Sequence, residues 1–159
     1  MYSEQQNWQN AEIYLKKALQ LNPQSEAKTL LTYVTQNGSL SVLNEGIELY
    51  EKQDYKSAMV KFNEVLKKEI SNAYAYYYRA LIYDEQKQTK LAISDYQNVL
   101  KYSNDFPIVN YMLALDYDTL ENYKDAFKFY KIFTSKYSTD DEYLKYAKDR
   151  MKELAPYAS

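Results

Sequence analysis

Apolar positions along this chain recur every three to four residues, the spacing of amphipathic helices, and not at the alternation of strands. They come in paired segments joined by short polar turns. The pairs run from Leu40 to Lys52 and Tyr55 to Glu69, from Ala73 to Glu85 and Lys90 to Tyr102, and from Pro107 to Leu120 and Tyr123 to Lys136. The turns inside the pairs read KQD, EQKQ and EN. Towards the start, Trp8, Ala11, Leu15 and Ala18 predict one helix. Ala27, Leu30, Leu31, Tyr33 and Val34 predict another over Glu26 to Gln36, and Asn37-Gly38 is expected to break it. Asp141 to Leu154 predicts a lone polar helix. Leu144, Ala147 and Met151 would face inward, and Lys145, Lys148, Arg150 and Lys152 would face water. Asp105, ahead of Phe106 and Pro107, is the expected N-cap of one segment. Thr139 and Glu142 have the spacing of a capping box for the last.

The paired segments repeat. Ala58, Ala92 and Ala126 stand 34 residues apart, and so do Gly46, Ala80 and Ala114. Leu49, Tyr83 and Tyr117 keep the same spacing, as do Phe62, Tyr96 and Tyr130, and Val65, Val99 and Phe133. The columns have a physical reason. Small side chains let two helices approach closely, and the large ones fill the space between neighbouring pairs. One pair cannot bury its apolar face alone, so pairs must stack.

This pattern resembles the tetratricopeptide repeat family, whose motif places W-x2-L-G-x2-Y on a first helix and A-x3-F on a second. Gly46, Tyr83 and Tyr117 match on the first helices, and Ala58, Ala92, Ala126 and Phe62 match on the second, with Tyr96 and Tyr130 as aromatic substitutes. The tryptophan site instead holds Val42, Tyr76 and Asn110, the leucine site Glu45, Arg79 and Leu113, and the proline site Ile70, Asn104 and Ser138. The resemblance implies an all-α fold, a right-handed superhelical solenoid of antiparallel helix pairs. Its repeats would occupy residues 39–72, 73–106 and 107–140, with a capping helix over 141–155. Residues 1–37 read as the tail of a preceding repeat array. They would hold the second helix of a partial repeat, ending in Leu21-Asn22-Pro23, and then an unpaired helix. On that reading the chain is expected to be a fragment of a longer protein.

Composition narrows the chemistry. The chain has no cysteine and no histidine, which removes disulfides, thiol nucleophiles, Cys/His zinc sites and Ser-His catalysis. Two glycines, Gly38 and Gly46, are too few for a phosphate-cradling loop. Twenty Lys and Arg against 22 Asp and Glu, interleaved, leave no basic patch for nucleic acid or for a membrane surface. No apolar run approaches the roughly 18 residues of a membrane span, so no direct membrane insertion is expected. Asp84 with Asp118, or Asp116 with Asp118, is the nearest approach to an acid–base pair, and acids on solvated helix faces are its ordinary reading. The stretch Asp116 to Asn122 lacks the glycine of a calcium loop. An enzyme, a metal and a cofactor are therefore not expected, and the compartment is not indicated.

What remains is binding. In the resembled family the first helices line a concave face. Helical spacing puts Tyr74, Tyr77, Leu81 and Asp84 on one stripe, within the tyrosine-dense stretch NAYAYYYRA and just beyond it. The matching residues are Ile108, Tyr111, Leu115 and Asp118 in the next copy, and Leu40, Leu43, Ile47 and Tyr50 in the one before. The last helix would offer Glu142, Lys145 and Asp149. Tyr74, Tyr77 and Tyr111 are the expected aromatic anchors, and the acids Asp84, Glu85 and Asp118 would favour a partner peptide or helix with basic residues. The alternative is that these tyrosines simply pack. Tyr76, at the tryptophan site, is expected inside its repeat. The carboxylate clamp of chaperone-tail binders is not expected, because Leu43, Ile47, Tyr78, Ile108 and Met112 stand at the corresponding places and none can hold a carboxylate. A different reading is self-assembly into a homodimer, through an open face of Trp8, Ala11, Leu15 and Ala18.

Overall fold

The chain's computed structural model describes residues 4–21 and 27–158. The described residues form α1 (Glu4–Leu21), α2 (Ala27–Glu51), α3 (Tyr55–Lys68), α4 (Ala73–Glu85), α5 (Thr89–Tyr102), α6 (Pro107–Thr119), α7 (Tyr123–Lys136) and α8 (Glu142–Leu154), with a 3-10 turn over Ala155–Tyr157. Pro23 and the expected helix start at Glu26 lie outside the described residues. No helix among those described is long and apolar enough to cross a membrane. Two compact units are present, Met1–Ala75 and Tyr76–Ser159, and their boundary falls in the first turn of α4.

Three turns set the helix pairs, and they are built alike. Gln53, Lys87 and Glu121, 34 residues apart, each take positive φ, at 61°, 58° and 58°. In each case the next residue donates back across the helix end: Asp54 N–H to Leu49 O, Gln88 N–H to Tyr83 O and Asn122 N–H to Tyr117 O, all within 2.8–2.9 Å. This is the Schellman closure, here made without glycine. The second helix then starts on Asp54, whose carboxylate accepts from Ser57 N–H, or on Asn122, which accepts from Asp125 N–H. Gln88 holds the same place before α5 and makes no side-chain cap.

The small-residue columns behave as steric reasoning requires. Ala58, Ala80, Ala92, Ala114 and Ala126 have no exposed surface, and Gly46 is buried against α3. A Cβ on Gly46 would stand 2.7 Å from the Phe62 ring, so only glycine fits. Phe62, Tyr96 and Tyr130 are fully enclosed in the next column. Tyr76 is buried and stacks on Tyr102, their centroids 5.9 Å apart, inside its repeat as expected.

Four expectations need correction. Asn37-Gly38 does not break a helix: α2 runs through it for 25 residues. The glycine serves close approach instead, because its missing Cβ would lie 3.3 Å from the Trp8 Cβ of α1. The face of Trp8, Ala11, Leu15 and Ala18 is not open. All four are half-buried, Trp8 packs edge-on against Tyr33 of α2 at 6.3 Å, and Lys68 of α3 reaches Glu12 of α1 at 3.7 Å. Phe106, not Asp105, is the N-cap of α6, with Pro107 in its first turn. Asp141, not Thr139, caps α8, accepting from Tyr143 N–H and Leu144 N–H, and the bond from the Tyr137 hydroxyl, with these backbone bonds, holds its carboxyl below the usual range.

Candidate functional site

In the second unit, aromatic side chains of α4, α6 and α8 gather over a packed floor. Tyr77 of α4 is half-buried among the rings of Tyr78, Tyr96 and Phe106, at 5.5, 6.5 and 5.5 Å. Tyr111 of α6 is only 7% exposed. It packs on Tyr130 and Phe133 of α7 from one side, and α8 covers it from the other with Tyr143 at 5.3 Å and Tyr146 at 6.2 Å. Burial raises the pKa of both Tyr77 and Tyr111 above the ordinary tyrosine value, so both hydroxyls stay neutral. Leu81, Ile108 and Leu115 are half-buried. Tyr74, at the start of α4, is 55% exposed.

The expected anchors therefore divide. Tyr74 and Tyr77 keep accessible ring surface. Tyr111 belongs to the core of the last helix pair and α8, and in that packing it cannot serve as a surface anchor. In the first unit, Leu43 of α2 is likewise buried at 5% exposure, while Ile47 is half-buried and Tyr50 leans on Tyr55 at 5.6 Å. Two surface aromatics fell outside the expected stripe. Tyr143 and Tyr146 of α8 remain 41% and 46% exposed while touching the Tyr111 ring. Their spacing with Arg150, at i, i+3 and i+7, is the helical signal that marks this face.

The acids are not a free row. Arg150, expected in water, makes a bidentate pair with Asp118 at 2.6 and 2.8 Å and also donates to Glu153. Asp84 accepts the Tyr96 hydroxyl at 2.6 Å and is in contact with Asp116, which is 8% exposed. Desolvation raises Asp84 above the carboxylate range, and desolvation with the facing Asp84 pushes Asp116 up to about 8. Glu85 and Glu142 are exposed.

The departures from the leucine site of the motif are explained by ion pairs. Arg79 of α4 grips Asp95 of α5 through two bonds of 2.6 and 2.7 Å, with the Asp95 side chain 5% exposed, and these bonds hold the guanidinium firmly charged. Glu45 of α2 pairs with Lys61 of α3, the same 16 residues along, with the polarity reversed. Leu113, fully buried, occupies the third such site.

Residues 74–103 match the tetratricopeptide repeat family model. Stress-induced-phosphoprotein 1 of Caenorhabditis elegans is 28% identical over 92 residues, covering 58% of this chain and 29% of that relative's length. Among solved structures, the Arabidopsis OM64 TPR domain superposes with a TM-score of 0.66 at 18% identity, covering 75% of this chain and 98% of that one. The first TPR of Spaghetti (RPAP3), bound to an HSP90 peptide, superposes at 0.64 with 14% identity, covering 75% and 91%. These likenesses establish the fold of the helix pairs.

Proposed function

We propose, on the premise that the chain is a tetratricopeptide repeat protein, that it is a non-enzymatic scaffold holding a peptide or helix of a partner protein. The contact surface in the second unit is Tyr77, Leu81, Ile108 and Leu115 with Tyr143 and Tyr146 of α8. One observation carries this reading: Tyr143 and Tyr146 rest on the Tyr111 ring and still leave nearly half of their surface to solvent. Tyrosine on a fixed floor gives large contact area with little side-chain entropy to lose. In the first unit, Ile47 and Tyr50 of α2 are the corresponding contact positions, with Leu43 beneath them. Exposed Glu85, Glu142 and Asp149 outnumber the exposed Lys145 of α8 beside Tyr146, which favours a partner segment with Lys or Arg. The HSP90 peptide is a ligand of the Spaghetti domain, and this chain lacks the basic residues of a carboxylate clamp at Leu43, Ile47, Tyr78, Ile108 and Met112.

The test is a titration of labelled peptides of equal length, some basic, some acidic and some neutral, against the chain and its Tyr77→Ala variant. Basic peptides should bind best, and the substitution should weaken them about tenfold, the 1–2 kcal/mol of a moderate interface anchor. Preference for acidic peptides, or equal binding by the variant, removes the proposed surface. Self-assembly is the second reading, favoured by exposed Ile13 and Tyr14 on α1 and exposed Leu30 and Tyr33 on α2. A solution mass that stays monomeric at every concentration excludes it.

A further inference from the structure

Asp84 closes the last turn of α4 and Asp116 lies on α6, and their carboxyl groups meet inside the second unit. Tyr96 of α5, with no exposed surface, donates its hydroxyl to Asp84 Oδ2 at 2.6 Å. Asp116 Oδ2 is sealed from solvent and meets no donor among the described residues. Two ionised carboxylates in such a place would repel each other, and the sealed Asp116 oxygen would stay unhydrated. One proton removes both difficulties. Held on Asp116, it would be donated to the Asp84 carboxylate, which also accepts from Tyr96.

The surroundings offer no substitute for that proton. Glu85 of α4 faces Asp84, Tyr77 of α4 faces Tyr96, and Tyr117 of α6 stands by Asp116 with Asp125 of α7 beyond it. All are neutral or anionic, and none is a cation. We infer that Asp84 and Asp116 hold one proton between α4 and α6, and that its loss is a pH-sensitive latch that loosens this packing. The inference does not depend on what the aromatic surface binds.

The linkage has a definite sign. In the unfolded chain both carboxyls titrate near the ordinary Asp value of about 3.9. In the fold the pair keeps one proton up to about pH 8. Between those values the folded state binds the extra proton, so stability is greatest below the unfolded value and falls as pH rises through the folded one. The chain has no histidine and no cysteine, so no other side chain ordinarily titrates between pH 5.5 and about 8.

Urea unfolding of the full chain from pH 5.5 to 9.5, beside Asp116→Asn, tests the latch. Asparagine donates an N–H to Asp84 without titrating. The folding constant of the unsubstituted chain should fall about tenfold per pH unit up to pH 8 and then level off, and Asp116→Asn should lose that slope. Carbon NMR of the Asp carboxyls in the unsubstituted chain is the second measurement, and it needs no variant to fold. A carboxyl titrating near 8 supports the latch. Two carboxyls titrating below pH 5, or a flat stability profile, overturn it.

Discussion

At the scale of single residues, the degeneracy of the repeat is compensated, and the Arg79–Asp95 pair is the clearest case. The Asp95 side chain is 5% exposed, so its charge depends on the guanidinium for solvation. Removing one partner should cost far more than replacing both. Arg79→Ala is expected to destabilise the chain by about 3 kcal/mol, the lower end for a broken buried pair. Arg79→Met combined with Asp95→Leu should recover most of that loss, read by denaturant midpoints. Glu45 and Lys61 make the corresponding pair at 38% and 23% side-chain exposure, so Glu45→Ala should cost under about 1 kcal/mol. If Arg79→Ala and Glu45→Ala cost the same, burial does not set the value of these pairs. The sequence displayed Glu45 and Arg79 only as mismatches to a leucine. Their partners lie on the facing helix, where a one-helix motif does not look.

At the scale of the helix, α2 shows what a turn signal can hide. Asn37-Gly38 has the composition of a break, yet 25 residues run straight through it. The glycine eases a close approach, because α1 crosses there at Trp8. Glycine as hinge and glycine as close-approach site are the same letter, and only the packing partner separates them. The two glycines of α2 differ in tightness, and this is testable. At Gly46 an added Cβ would meet the enclosed Phe62 ring at 2.7 Å and the Lys61 Cβ at 3.1 Å. Gly46→Ala is expected to cost 1–3 kcal/mol, roughly the range of an overpacked core. At Gly38 the nearest atom is 3.3 Å away and a helical gain of about 1 kcal/mol opposes the crowding, so Gly38→Ala should lie within about 1 kcal/mol of zero. Calorimetric melting temperatures check both. A larger loss at Gly38 than at Gly46 would show that the α1–α2 crossing is the tighter one.

At the scale of the whole molecule, the helices were legible because three copies report the same period. Six of them start and stop within two residues of the segments that the apolar spacing predicts. The surface was legible only in part. Spacing carried over from copy to copy marked Tyr74, Tyr77 and Leu81, which keep access, and Tyr111, which does not. The reason is α8: it packs over the last helix pair and takes Tyr111 into the core. The same step brings Tyr143 and Tyr146 to the surface and draws Arg150 from solvent to Asp118. A repeat rule cannot foresee this, because the residue that would continue the column on α8 is Lys145, and α8 is set by its own N-cap.

The proposed role of this chain is recognition of a partner segment through the tyrosine surface of α4 and α8. NMR observation of ring signals in tyrosine-labelled protein, together with leucine methyl signals, during titration with a basic amphipathic peptide tests it most directly. Saturable shifts are expected at Tyr77, Tyr143, Tyr146 and Leu81, with little change at Leu91 and Leu120, which are 47% and 40% exposed and line a separate hollow. Shifts centred on Leu91 and Leu120, with the four surface signals unmoved, would contradict it.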